Sequence, residues 1–306
     1  MSVCAKFTGD ISADADYQSL KSYSGTIDGN NHMITLNGYS LIENASGNIT
    51  IKNLMLAGTV IGENNAAAFI GYTDADTTDT ISIENCANLA SVKAANDNSA
   101  GFVGLINGGD TLNLSNSYNY GSVVSMGGNA DPLANTDTNA TADYKNCYYL
   151  KDGTKANGTV KNPNTATEKT LAGFESGEVA YNLNKGALDI IFGQQLGTDD
   201  ADKYPVLTSG KNVVYCIASN YTNDGALALI DNDKARIFSS TDAVAMIAQY
   251  NGDILVSAVP VNISSNTMFD ISITKADTAD KYKVFVWNSA SELKPVSEPT
   301  DYTVTK

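Results

Sequence analysis

The segments ITIKNL (residues 49–54), ISIENC (81–86), LNLSNS (112–117) and ADYKNC (142–147) are copies of one short alternating run, each with asparagine at its fifth position. These asparagines, Asn53, Asn85, Asn116 and Asn146, follow one another at steps of 32, 31 and 30 residues. A second mark keeps the step: GTV (58–60), ASV (90–92) and GSV (121–123) each begin five residues after the asparagine. A third, AAAFIGY (66–72), returns as SAGFVGL (99–105). Three marks in one phase define a solenoid, in which each repeat packs only on its neighbours.

Residue type decides which solenoid. Helical repeats need runs of ten or more residues with apolar positions three and four apart. These runs are instead short, alternate every second residue, and consist of Ile, Leu, Val, Thr and Tyr between Gly, Asn and Asp turns. Three such strands with their turns close a coil of about thirty residues, and coils stack at about 4.8 Å. The sequence therefore predicts a parallel β-helix of about five coils, roughly 24 Å long. In it, Asn53, Asn85, Asn116 and Asn146 form a structural ladder that passes amide hydrogen bonds along the stack.

Composition narrows the function. The 306 residues are 42% hydrophobic and 17% charged, which suits a folded chain. A net charge of -15 and a single arginine, Arg236, argue against nucleic acid, because phosphate binding needs Lys and Arg to displace counterions. The same charge argues against anionic membrane surfaces, and no apolar run reaches the length of a membrane span. The chain opens on Met1-Ser2-Val3-Cys4 and runs straight into strand-like sequence, so the expectation is a piece of a longer exported polypeptide. Cys86 and Cys147 share a repeat position with Ser117 between them. Two coils apart they would lie roughly 9 to 10 Å from each other, beyond the disulfide limit of about 7 Å, and they read as buried thiol fillers. Cys4 and Cys216 have no visible partner.

In chain order, residues 1–160 read as the solenoid, 161–212 as a connector and cap, and 213–306 as a separate sandwich. His32, the only histidine, lies in the turn-rich entry coil with no acidic partner in repeat register and reads as structural. Two polar insertions, TDADTTDT (73–80) and NADPLANTDTNAT (129–141), read as loops. Their aspartates, Asp74, Asp76 and Asp79 in the first and Asp131 and Asp137 in the second, could hold calcium, with the first three as the candidate ligands, a plain solvated loop as the alternative and no other cofactor expected. Tyr118, Tyr120, Tyr148 and Tyr149 fall near one repeat position, either as a platform for sugar rings or as wall packing. Lys161-Asn162-Pro163-Asn164 ends the coils. TLAGFESGEVAYNLN (170–184) reads as one helix with Leu171, Phe174, Val179 and Leu183 on its apolar face, covering the open end of the solenoid. After residue 213, alternating runs at 213–218, 226–230, 245–250, 254–259, 268–274 and 281–287 read as an antiparallel β-sandwich, immunoglobulin-like or fibronectin-like. Trp287 reads as core or half-buried.

These residues resemble bacterial cell-surface proteins with GLUG-type repeats. Gly101-Phe102-Val103-Gly104 stands at that family's Gly-Leu-apolar-Gly signature, and LSNSYNYGSV (114–123) is similar to its second half. Residues 25–34 resemble the entry coil, with Asn31 in place of a glycine. Residues 176–184, 195–199 and 204–207 resemble the segment that ends such solenoids, with Phe192 where a Trp often stands. The tail, 283–295, resembles a small sandwich of extracellular proteins from gut Firmicutes. The resemblance implies a right-handed helix and an exported surface location.

A surface adhesin, stalk or scaffold is thus the first reading. A carbohydrate-binding module of a larger glycan-active protein is the second, and a β-helix polysaccharide lyase or hydrolase the third. Such enzymes need a basic residue, calcium or clustered Asp beside His. The solenoid has no arginine, one histidine in its entry coil, and scattered lysines (Lys52, Lys93, Lys145, Lys151, Lys155). The expectation is that the chain is not an enzyme. Its expected partner is a host or bacterial surface protein or glycan, and it is expected to be monomeric.

Overall fold

The computed structural model describes residues 3–75, 78–175, 177–184, 191–194, 202–207, 226–231, 234–239, 241–265, 267–296 and 300–303. The described residues form an all-β fold with two short helices. It divides into two units, Met1–Leu171 and Ala172–Lys306.

The first unit is a parallel solenoid. Ile49 pairs with Ile81, Ile81 with Leu112, and Leu112 with Ala142, all parallel, so that one apolar side chain sits above the next. Val60, Val92, Val123 and Thr154 form a second such column. The strand Ile42–Ala67 is 26 residues long because it turns corners without breaking its ladder. Its corners are single residues in left-handed conformation: Asn53 (φ 53°), Gly58 (φ 90°) and Asn65 (φ 52°). Asparagine tolerates that region better than any other residue with a side chain of its size, which is why it recurs there.

The third mark builds the centre of the core. Phe69 and Phe102 stack with ring centroids 4.8 Å apart at 13°, both fully buried. The column continues into the segment read as a polar loop, and that expectation is corrected. Ala130–Asp131 and Ala134–Thr136 are strands that pair with Ser99–Ala100 and with Val103 and Ile106, and buried Leu133 accepts the Phe102 N–H through its carbonyl. The GFVG glycines are explained by close approach. A Cβ on Gly101 would lie 2.5 Å from the Pro132 carbonyl oxygen, and one on Gly104 2.2 Å from that of Asn65. The coils also run past residue 164, because Thr167–Lys169 pairs in parallel with Tyr148–Leu150.

In the second unit the single expected helix is two: Leu171–Glu175 and Glu178–Asn184. Gly177 at φ 81° places a left-handed residue between them, a conformation no helix interior accepts. Phe174, Val179 and Leu183 are buried, but Leu171 is 49% exposed. The buried Gln194 amide donates to the carbonyls of Phe174 (2.7 Å) and Asp202 (3.0 Å). Two antiparallel sheets follow. One holds Ala226–Asp231, Lys234–Ser239 and Thr267–Ser272; the other runs Ile254–Ile263, Ala243–Asn251, Lys281–Trp287, Thr300–Thr303. They share a core of Ala235 and Ile237 with Ala245, Ile247, Tyr282, Val284 and Val286. The run at 213–218, with Cys216, lies outside the described residues.

Replacing Phe102 by Ala is expected to destabilise the solenoid by about 3–5 kcal/mol, whereas Ile61→Ala, at a position 66% exposed, should stay within about 0.5 kcal/mol. Denaturant unfolding followed by circular dichroism measures both.

Candidate functional site

The asparagine ladder forms as the repeat predicts. Asn85 Nδ2 donates to Asn53 Oδ1 (3.2 Å), Asn116 Nδ2 to Asn85 Oδ1 (2.7 Å), and Asn146 Nδ2 to Asn116 Oδ1 (2.7 Å). All four asparagines are left-handed, with φ between 47° and 55°. At the first end Asn53 Nδ2 donates to Asp28 Oδ1 (3.1 Å). Partial burial pushes the Asp28 carboxyl up, but the Asn30 N–H, the Asn53 amide, Lys52 and Lys6 outweigh it and hold the group below its ordinary value. At the other end the Tyr148 hydroxyl donates to Asn146 Oδ1 (2.8 Å). Shorter ladders run beside it: Asn98 Nδ2 to Asn65 Oδ1 (3.1 Å) and, fully buried, Asn88 Nδ2 to Asn119 Oδ1 (2.8 Å).

The tyrosines do not form an open platform. Tyr118 pairs with Tyr148 in register, but Tyr149 pairs with Asn119 and so faces the other side of the wall. Tyr118 is 0% exposed, Tyr148 and Tyr149 are 6% exposed, and Tyr120 is half-buried. No sugar ring stacks on faces covered to that degree. Tyr149 borders a hollow of about 240 Å³, shared with Thr154, Lys161 and Glu168.

Other candidates are dispersed. Asp74 Oδ1 accepts from Asn44 Nδ2 (2.8 Å), and the Asp79 N–H donates to Asp110 Oδ1 (2.7 Å). Asp76 lies outside the described residues, among which no group of three metal-ligating side chains converges. His32 has an acidic partner from outside the repeat register: Asp10 Oδ1 lies 3.2 Å from its Nδ1 and also accepts the Met33 N–H. Asp10 escapes a search by repeat register because it comes from the irregular first coil. Cys4, Cys86 and Cys147 are free thiols, and burial pushes Cys147 up to about 12 and Cys86 higher still.

Asp131, which the sequence places in a polar loop among possible calcium ligands, is instead buried. It is 4% exposed, and its Oδ1 accepts the N–H groups of Leu133 (2.7 Å) and Ala134 (3.0 Å). Burial raises its carboxyl to about 6 despite those bonds and the nearby Lys161. No signal marked its burial, because Asp-Pro in a polar stretch reads as a turn.

No family model and no curated protein matches the sequence. Among solved structures, the chain is similar to one named "putative immunoglobulin A1 protease", from Bacteroides ovatus, at 17% identity and a TM-score of 0.44. The match covers 69% of this chain and 87% of that one. The expectation that the chain is not an enzyme is corrected here: a chain of similar architecture bears a protease name, and the exclusion of catalysis is dropped. A likeness at that identity and score carries neither activity nor substrate across. No helix among the described residues is long and apolar enough to cross a membrane.

Two outcomes are expected. Asn116→Ala loses two amide bonds and strains a left-handed corner, for about 2–4 kcal/mol, while Asn116→Gly keeps the corner and loses less. Denaturant titration of the two variants separates the terms. For Asp131, folding raises the pKa from 3.8 to about 6, so the folded state holds this proton more tightly. Its contribution is therefore greatest below about pH 4 and declines by up to about 3 kcal/mol as pH rises to about 6. Asp131→Asn should flatten that slope and raise the melting temperature at pH 7.

Proposed function

We propose that the chain is a surface-displayed β-solenoid module of an exported bacterial protein, serving as adhesin, stalk or scaffold. The single observation that carries the reading is the amide ladder. It joins five coils from Asp28 to Tyr148 and gives the wall a side-chain strut in addition to its backbone bonds. A wall tied in this way suits a part whose task is to hold its shape outside the cell. The net charge of -15 supports a solvated location away from nucleic acid and anionic lipid. Gly101–Gly104 and the LSNSYNYGSV run support a place among GLUG-type surface repeats of gut bacteria. On this reading the partner is a surface protein or glycan, and the module works as a monomer.

A carbohydrate-binding module is the second reading. With three of the four tyrosines buried, the solenoid wall no longer favours it; an aromatic pair on the outer face of the second unit does.

Antibodies raised against the protein are expected to label intact, unpermeabilised source cells, and protease treatment of those cells should remove the signal. Labelling seen only after permeabilisation would contradict surface display.

A further inference from the structure

The strand Lys281–Trp287 alternates strictly: Tyr282, Val284 and Val286 enter the core, so Lys283, Phe285 and Trp287 face outward, half-buried. Phe285 and Trp287 stack with centroids 5.6 Å apart at 20°, and Lys283 Nζ lies 5.7 Å from the Phe285 ring. Antiparallel register sets Met246 opposite Phe285 and Val244 opposite Trp287. On the next strand Pro260 and Asn262 complete the same two rows. The result is an aromatic and apolar strip across three strands of one sheet face.

Polar groups border this strip. A hollow of about 450 Å³ is lined by Val244 and Asn262 together with Asp242, Asn288 and Ser289. Two of these polar side chains are held in place: Asp242 Oδ1 accepts the Ser265 N–H (2.8 Å), and Asn288 Oδ1 accepts the Lys294 N–H (3.1 Å). The Asn262 amide is exposed and has no side-chain partner among the described residues. Beside the hollow the Asn288 Nδ2 donates to Glu292 Oε2, so carboxylates stand on its polar side with Asp242.

We infer that this face binds a neutral glycan chain, a site that rests on the carbohydrate-binding reading and gives it a location. A pyranose ring offers a patch of C–H bonds on one face and hydroxyls around its edge. The first suits a flat aromatic surface, and the second suits fixed amide and carboxylate groups beside it. The hollow holds one ring while its neighbour lies on Trp287. Single-stranded nucleic acid, which also stacks on aromatics, needs a cationic groove that this surface lacks. Acidic sugars are disfavoured by the Asp242 and Glu292 carboxylates on its polar side.

Trp287 is the only tryptophan, so its fluorescence reports on this site alone. The full chain is to be screened on an array of plant, host and bacterial glycans, and hits followed by calorimetry and tryptophan emission. The expected result is binding of a neutral oligosaccharide with a saturable emission shift. Affinity should fall about tenfold or more in Trp287→Ala and severalfold in Asn262→Ala, with glucuronate oligomers silent. Asn262 is exposed, so its variant keeps the fold. Glycan binding that leaves emission and the Trp287→Ala affinity unchanged would overturn this site but keep the carbohydrate reading. Silence across the array would overturn both.

Discussion

The side-chain amide bond between stacked asparagines is the constraint on which the solenoid depends. A coil must turn a sharp corner, and the corner residue must accept a left-handed backbone. Asparagine accepts it, and its amide has both a donor and an acceptor, so each copy can give to the coil before it and take from the coil after. Each such bond contributes only about 0.5–1.5 kcal/mol, less than the burial of one Ile or Leu at about 1.5–3 kcal/mol. The ladder therefore does not supply most of the stability. What it supplies is phase: a slip of one residue would break every amide bond and turn Ile81 and Ile83 out of the core.

That phase was legible in the sequence wherever one residue type repeated. Asn53, Asn85, Asn116 and Asn146 showed it, and so did the buried, unpaired Cys86 and Cys147. It was illegible where different residues fill the same slot. Leu133 continues the Phe69–Phe102 column, but Asp131 and Pro132 beside it look like turn chemistry. The polar side chain of Asp131 is tied down by two backbone N–H groups rather than solvated. The tyrosines failed for another reason: Tyr148 and Tyr149 are neighbours in sequence, so the two-residue period sends them to opposite sides of the wall. Helix 170–184 was read as continuous because its apolar spacing bridges Gly177, whose backbone the spacing does not encode.

In the second unit the pattern was readable in the four-stranded sheet's long strands but not in the central strand of the three-stranded sheet. Lys234–Ser239 was missed because Lys234 and Arg236 dilute its alternation, although Ala235 and Ile237 are core residues. The aromatic pair was visible as residues but not as a surface. Only the register of Val244 and Met246 against Trp287 and Phe285 shows that the outward positions of three strands make one strip. On the proposed reading, function divides by unit: the first holds shape through its amides and stacked rings, and the second presents the groups suited to a ligand.

The central claim, that the asparagine amides are bonded coil to coil, is open to direct measurement by side-chain amide NMR of labelled protein. The Nδ2 hydrogens of Asn85, Asn116 and Asn146 are expected to exchange slowly and to show scalar coupling to the side-chain carbonyl carbon of the asparagine one coil earlier. Exchange at the rate of free amides, with no such coupling, would contradict the account.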